Sequence, residues 1–192
     1  MYLKLNPFCN DINNEIINVV QNIILKITID ERISLGEPLY NFNYHTSKKC
    51  LDKSKQLLEA NIEKDIEITN GTYFSGFDEG LIAEKLLSIV KKCYLNKKVT
   101  ISGNFYYPYE GYMGWHTNCN KPNKRLYITY ASEDKKSFFR YLKNGEIITC
   151  YDNKGITIRE FDIPNPPDYF WHCVGSKCDR YSFGFKIANI EN

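Results

Sequence analysis

Beyond Asn96 the apolar residues recur at every second position, and no long amphipathic helix can be drawn through that half of the chain. The segments KKVTISGNFYYP, YMGWHTN, KRLYITYA, KSFFRYLK, GEIITCYD, ITIREFDI, DYFWHCV and DRYSFGFKIA are short and rich in β-branched and aromatic residues. Asn-Gly, Asn-Lys-Gly and Pro-Asn-Pro-Pro turns punctuate them. Strands at this spacing, with no helices between them, predict a jelly-roll or barrel rather than βαβ units.

The first half obeys a helical period instead. From Glu15, the residues Ile16, Ile17, Val19, Val20, Ile23 and Ile24 share one face, with Asn10 or Asp11 available as a cap. A second helix is expected from about Ser47 to Ile62, and a third from Asp78 to Leu95. Between them, IEITNGTYFSGF reads as a short strand, a turn at Asn70-Gly71 and a loop. The expected class is α+β, with the N-terminal helices packed on one sheet. No repeat or linker divides the 192 residues, so the whole chain is expected to be one domain, 1–96 mainly helical support and 97–190 the β core.

Charge removes some function classes. Lys and Arg number 25 against 23 Asp and Glu, and the resulting +2 is too small to steer nucleic acid or an anionic membrane surface. The seven cysteines, Cys9, Cys50, Cys93, Cys119, Cys150, Cys173 and Cys178, are odd in number and scattered, as suits reduced thiols. A single C-x4-C spacing, Cys173 to Cys178, does not make a zinc site. The N-terminus MYLKLNPFCNDINNE has no secretory pattern, and a cytoplasmic protein is expected.

Candidate chemistry gathers in the strands. His116 and His172 lie in GWHTN and FWHCV, each preceded by tryptophan, and strands distant in sequence can face each other across a jelly-roll mouth. Asn118 lies two positions after His116 and projects from the same face if the strand continues. Two histidines and one oxygen ligand leave open positions on Fe(II). The remaining histidine, His45, reads as a packing residue.

His116-Thr117-Asn118, then His172, then Arg180-Tyr181-Ser182 resembles the 2-oxoglutarate and Fe(II)-dependent dioxygenase superfamily, whose pattern is HxD, a distal His and RxS. The resemblance covers about residues 98 to 188, and the approach NFYYPYEGYMGWH is similar to that of prolyl-hydroxylase-like members. It implies a double-stranded β-helix, a cupin-like form of the jelly-roll, with Fe(II) and 2-oxoglutarate as cofactors. It also implies metal ligation by His116 and His172, and a fork from Arg180 to the far carboxylate of 2-oxoglutarate, assisted by Ser182 and by Tyr107, Tyr109 or Tyr127. The implied reaction couples oxidative decarboxylation of 2-oxoglutarate to hydroxylation of a protein or peptide side chain or a small molecule.

Asn118 stands where the family has aspartate. Three readings follow: a weaker amide ligand, a slot left to water or an anion as in related halogenases, or a domain without catalysis that binds a ligand or partner. A cupin-like metalloprotein that does not use 2-oxoglutarate is a further alternative. Neither Glu110 nor Asp179 has the spacing of the missing carboxylate. Trp115 and Trp171 read as core or pocket wall, and KPNKR, Lys121 to Arg125, as a solvated loop able to meet an acidic substrate. The pattern leaves the oligomeric state open.

Overall fold

The computed structural model describes residues 3–24, 32–35, 42–59, 72–77, 80–119 and 122–190. The helices are α1 (Asn10–Ile24), α2 (Phe42–His45), α3 (Lys48–Glu59) and α4 (Gly80–Cys93). Before the β half lie the short strands β1 (Lys4–Leu5), β2 (Arg32–Leu35) and β3 (Thr72–Phe77). The β half comprises β4 (Lys97–Tyr107), β5 (Tyr112–His116), β6 (Asn123–Ala131), β7 (Ser137–Lys143), β8 (Glu146–Tyr151), β9 (Gly155–Ile163), β10 (His172–Ser176) and β11 (Arg180–Asn189). The protein is thus mostly antiparallel β-sheet with few helices.

The strands run in the order β1-β9-β6-β11-β4, cross through β3, and continue as β5-β10-β7-β8. All pairings are antiparallel, and β3 joins the two sheets by pairing with both β4 and β5. The result is a sandwich whose period-two strands send alternate side chains to opposite faces. On β11, Phe183, Phe185 and Ile187 point outward and pack with Leu126, Ile128 and Ile158 under α1 and α4, where Ile16, Val20, Leu86 and Val90 are fully buried. The inward residues of the two sheets meet in a second cluster containing Tyr107, Phe139, Phe161 and Val174.

Helices cover both sheets, not one. α3 lies on the outer face of β5 and β10, where Cys50 and Leu51 pack with Trp115, Trp171 and Cys173. An amphipathic sequence reveals which helix face is apolar but not which sheet it will meet, so a one-sided cover was the simpler expectation. β3 is likewise a strand where a loop was expected, and its role in bridging the sheets accounts for its order. The expected IEIT strand and Asn70-Gly71 turn lie outside the described residues. Among the described residues, no helix is long and apolar enough to cross a membrane.

Candidate metal centre and its cavity

His172 and His116 are direct cross-strand partners on β10 and β5. Their ring centroids lie 4.1 Å apart at an interplanar angle of 55°. A bulge brings them into line: Gly114 and Trp115 on β5 oppose the single residue Cys173, between the pairs His172/His116 and Val174/Met113. The extra residue lets Met113 and His116, three apart in sequence, face the same space while Trp115 turns outward beneath α3.

Each imidazole is oriented by its own strand. Nδ1 of His116 lies 2.7 Å from the carbonyl of Gly114, and Nδ1 of His172 lies 2.8 Å from that of Phe170. A carbonyl can only accept, so both Nδ1 atoms carry a proton, and in the neutral form of each ring Nε2 is the atom with the lone pair. Burial pushes His172 well below the usual histidine range, reinforced by His116 and Arg125 and opposed by the Phe170 carbonyl. A neutral ring with its far nitrogen tethered is the form in which histidine binds a metal.

Asn118 completes the group from outside the strand. β5 ends at His116, and Asn118 follows in a left-handed conformation at φ 54°, which asparagine tolerates better than most residues. Its Nδ2 lies 3.1 Å from Nε2 of His172 and donates to it. Among the described residues, no third His, Cys, Asp or Glu joins these groups. Two imidazoles, each held through Nδ1 and both lining one cavity, are donors of the kind that fit a divalent ion, with an amide as the third neighbour. Ligation by that amide requires Asn118 to present its oxygen where it now presents Nδ2.

These residues form one wall of a cavity of about 380 Å³ between the sheets. The opposite wall is built from alternate residues of three neighbouring strands: Phe105 and Tyr107 on β4, Arg125 and Tyr127 on β6, and Ser182, Gly184 and Lys186 on β11. Gly184 leaves the floor open, since a Cβ there would approach the Ser102 hydroxyl to 2.7 Å and the Tyr127 ring to 3.3 Å.

The structure brings His116, His172, Asn118, Tyr107, Tyr127 and Ser182 to this cavity. Other expected site residues lie elsewhere. Tyr109 is 64% exposed in the turn after β4. Trp115 donates from Nε1 to the carbonyl of Ser47 at 2.8 Å, and Trp171 packs in the same outer cluster, so neither lines the cavity. Asp179, which lacked the spacing of a ligand, accepts from the Tyr106 hydroxyl at 2.5 Å, and His45, read as a packing residue, stacks on Tyr112 with centroids 5.0 Å apart.

Arg180 holds a carboxylate of the chain itself. Its side chain is 1% exposed, and Nε lies 3.1 Å from Oδ2 of the wholly buried Asp152. Nη2 donates to Thr129 at 3.2 Å, and the guanidinium lies 5.0 Å from the Tyr107 ring centroid. Arg159 and Ser137 also donate to Asp152, each at 2.5 Å. Desolvation works against ionisation of this carboxyl, but Arg180 and then Arg159 outweigh it and hold its pKa below the ordinary range. The pair ties the end of β8 to β11 across the sandwich.

Among the described residues, the cations that line the cavity are Arg125 and Lys186, neither of which was an expected cavity residue. Arg125 belongs to β6 and is 4% exposed, not part of a solvated loop. A signal was available in KRLYITYA: with Leu126 and Ile128 on one face, Arg125, Tyr127 and Thr129 must share the other.

No family model matches the chain, and no curated protein matches it. Solved structures similar to it include a 2OG-Fe(II) oxygenase family oxidoreductase from Burkholderia pseudomallei, at 10% identity and TM-score 0.40, covering 56% of this chain and 52% of that one. A prolyl-4-hydroxylase from Pseudomonas putida is similar at 8% identity and TM-score 0.44, over 92% of this chain and 100% of that one. A prolyl 4-hydroxylase from Phytophthora capsici is similar at 10% identity and TM-score 0.38, over 96% and 67%.

Proposed function

We propose that the chain is a 2-oxoglutarate and Fe(II)-dependent oxygenase domain, with His116 and His172 as metal ligands and the inter-sheet cavity as the reaction chamber. The observation that carries this reading is the in-register imidazole pair, each ring held by a carbonyl two residues before it and both facing one cavity. The strand orders β9-β6-β11-β4 and β8-β7-β10-β5 support assignment of the sandwich as a double-stranded β-helix. The reading treats 1–192 as a single unit.

When bound, Fe(II) and 2-oxoglutarate would supply the oxidising chemistry, ending in hydroxylation of a peptide side chain or a small molecule. The protein's own part is positional. The Gly114 and Phe170 carbonyls fix both imidazoles in the ligating tautomer. Phe105, Met113 and Val174 present apolar surface to the same cavity, and burial keeps the Tyr107 phenol protonated. Ser182 and Tyr127 offer hydroxyls to a bound acid.

A second reading, a ligand-binding domain without metal, is favoured by the Asn118–His172 hydrogen bond, which occupies one of the two nitrogens a metal needs. Anaerobic Fe(II) titration with and without 2-oxoglutarate separates the two. The oxygenase reading expects a weak visible charge-transfer band that His116→Ala abolishes while the far-ultraviolet circular dichroism stays unchanged. Absence of the band at saturating iron and 2-oxoglutarate overturns the oxygenase reading, and absence of bound iron in equilibrium dialysis selects the metal-free one.

A further inference from the structure

The segment KKCYLNKK, residues 91–98, places four lysines in eight positions with no acid among them, a concentration that the net charge of +2 conceals. It spans the end of α4, a turn and the start of β4. The turn is closed by the Lys97 amide, which donates to the Tyr94 carbonyl at 3.0 Å. Both of its sides are anchored: Tyr94 donates to Glu160 and packs edge-on against Phe8, and Val99 is buried in the core under α1 and α4. Leu95 therefore sits at the tip of a fixed turn, 83% exposed, where a polar residue would serve the fold as well.

A second apolar side chain stands beside it. Lys97 pairs with Asn189, so the next residue outward is Asn96 on one strand and Ile190, 58% exposed, on the other. Leu95 and Ile190 are two of the three large aliphatic side chains exposed among the described residues, Leu5 being the third. Lys91 and Lys98 make no salt bridge among those residues, whereas Lys92 meets Glu15 at 3.3 Å and Lys97 donates to Asn189 at 2.7 Å.

We propose that this tip is a docking surface for an anionic lipid bilayer, with Leu95 and Ile190 entering the interface and the lysines around them meeting the headgroups. Apolar side chains ringed by lysines suit such a surface, since acyl chains receive the first and anionic headgroups the second. A leucine so far exposed has no walls around it, which a planar partner does not require but a peptide does. The depression along α4 that reaches Leu95 is lined also by Glu84, which repels an acidic peptide, and among the described residues Lys97, Lys98 and Ile190 stay outside it. None of the tip residues lines the inter-sheet cavity, so the inference stands apart from the metal centre.

Cosedimentation compares phosphatidylcholine vesicles with vesicles that also contain about one-quarter phosphatidylserine. The protein is expected to bind the anionic vesicles at least about tenfold more tightly, and to be released as added salt screens the lysines. Lys91→Gln combined with Lys98→Gln should weaken that binding about tenfold, and Leu95→Ser should weaken it about fivefold. Thermal unfolding should not change in either variant, because all three side chains are exposed. Lys49→Gln with Lys53→Gln removes the same charge from the exposed face of α3 and should leave binding within about twofold. Equal binding to the two kinds of vesicle, or to neither, overturns the proposal, as does undiminished binding in either tip variant or an equal loss in the α3 variant. Capture of an acidic peptide of alternating glutamate and leucine by protein that ignores the vesicles would overturn it in favour of a peptide partner.

Discussion

Asp152 and Arg180 meet at 3.1 Å inside the sandwich, and neither side chain is more than 1% exposed. Twenty-eight residues separate them, and Asp152 lies just beyond β8 whereas Arg180 opens β11. With Arg159 on the second carboxylate oxygen, the cluster carries one more positive than negative charge, which makes its single anion indispensable.

Asp152→Asn should therefore destabilise the protein by about 3–5 kcal/mol, the cost of leaving buried guanidinium groups without their counter-charge. Urea denaturation at neutral pH measures it. A loss below about 1 kcal/mol would mean that water reaches the cluster.

The same carboxyl predicts acid sensitivity. Its folded pKa is depressed, so its contribution is complete above the ordinary aspartate value near 4 and is lost as pH falls from there through the folded value. The stability gap between wild type and Asp152→Asn should be constant from about pH 6 to 8 and narrow steadily below about pH 4. A gap independent of pH down to about pH 2 would show that Arg180 and Arg159 do not hold the carboxyl in its charged form.

Asn118→Asp replaces a neutral donor to His172 with an anionic oxygen ligand. Affinity for Fe(II), or for Mn(II) as an air-stable substitute, should rise about tenfold or more, equivalent to at least ~1.4 kcal/mol. Equilibrium dialysis decides the point, and unchanged affinity would show that residue 118 stays outside the metal sphere.

Gly184→Ala tests the cavity floor. Its Cβ would meet Tyr127 and the Gly103 carbonyl at 3.3 and 3.2 Å, so stability should fall by about 1–3 kcal/mol. Binding of a ligand in the cavity should weaken with it, because Tyr127 and Ser102, which the new methyl would press on, line the same space. Trp115→Phe provides the contrast: it loses the bond to Ser47 and costs about 1–2 kcal/mol, with ligand affinity unchanged.

The β half was legible because alternation is a local property: each of the eight segments beyond Asn96 became a strand. The histidines were legible for the same reason, since a strand whose neighbour faces α3 must turn the imidazole inward. The bulge at Gly114 and Trp115 was not, because it is set by pairing with β10 and leaves no local trace. Asn118 reaches the site through a left-handed turn rather than the strand continuation that the two-residue spacing suggested.

Arg180 illustrates the limit more sharply. Its inward direction follows from period two, but its partner follows from where the turn after β8 ends, and no spacing in the sequence links Asp152 to residue 180. Arg125 was obscured by its neighbours, since KPNKR resembles a solvated run until KRLYITYA is recognised as a strand that begins inside it.

β11 is held along most of its length between β6 and β4, and it carries Arg180, Ser182, Gly184 and Lys186 on one face. A slip of one residue would turn all four away together, so their phases are locked. The ion pair at residue 180 thus acts as a keel for residue 186: by fixing which way the strand faces at its start, Asp152 sets the orientation of a cation that it never touches.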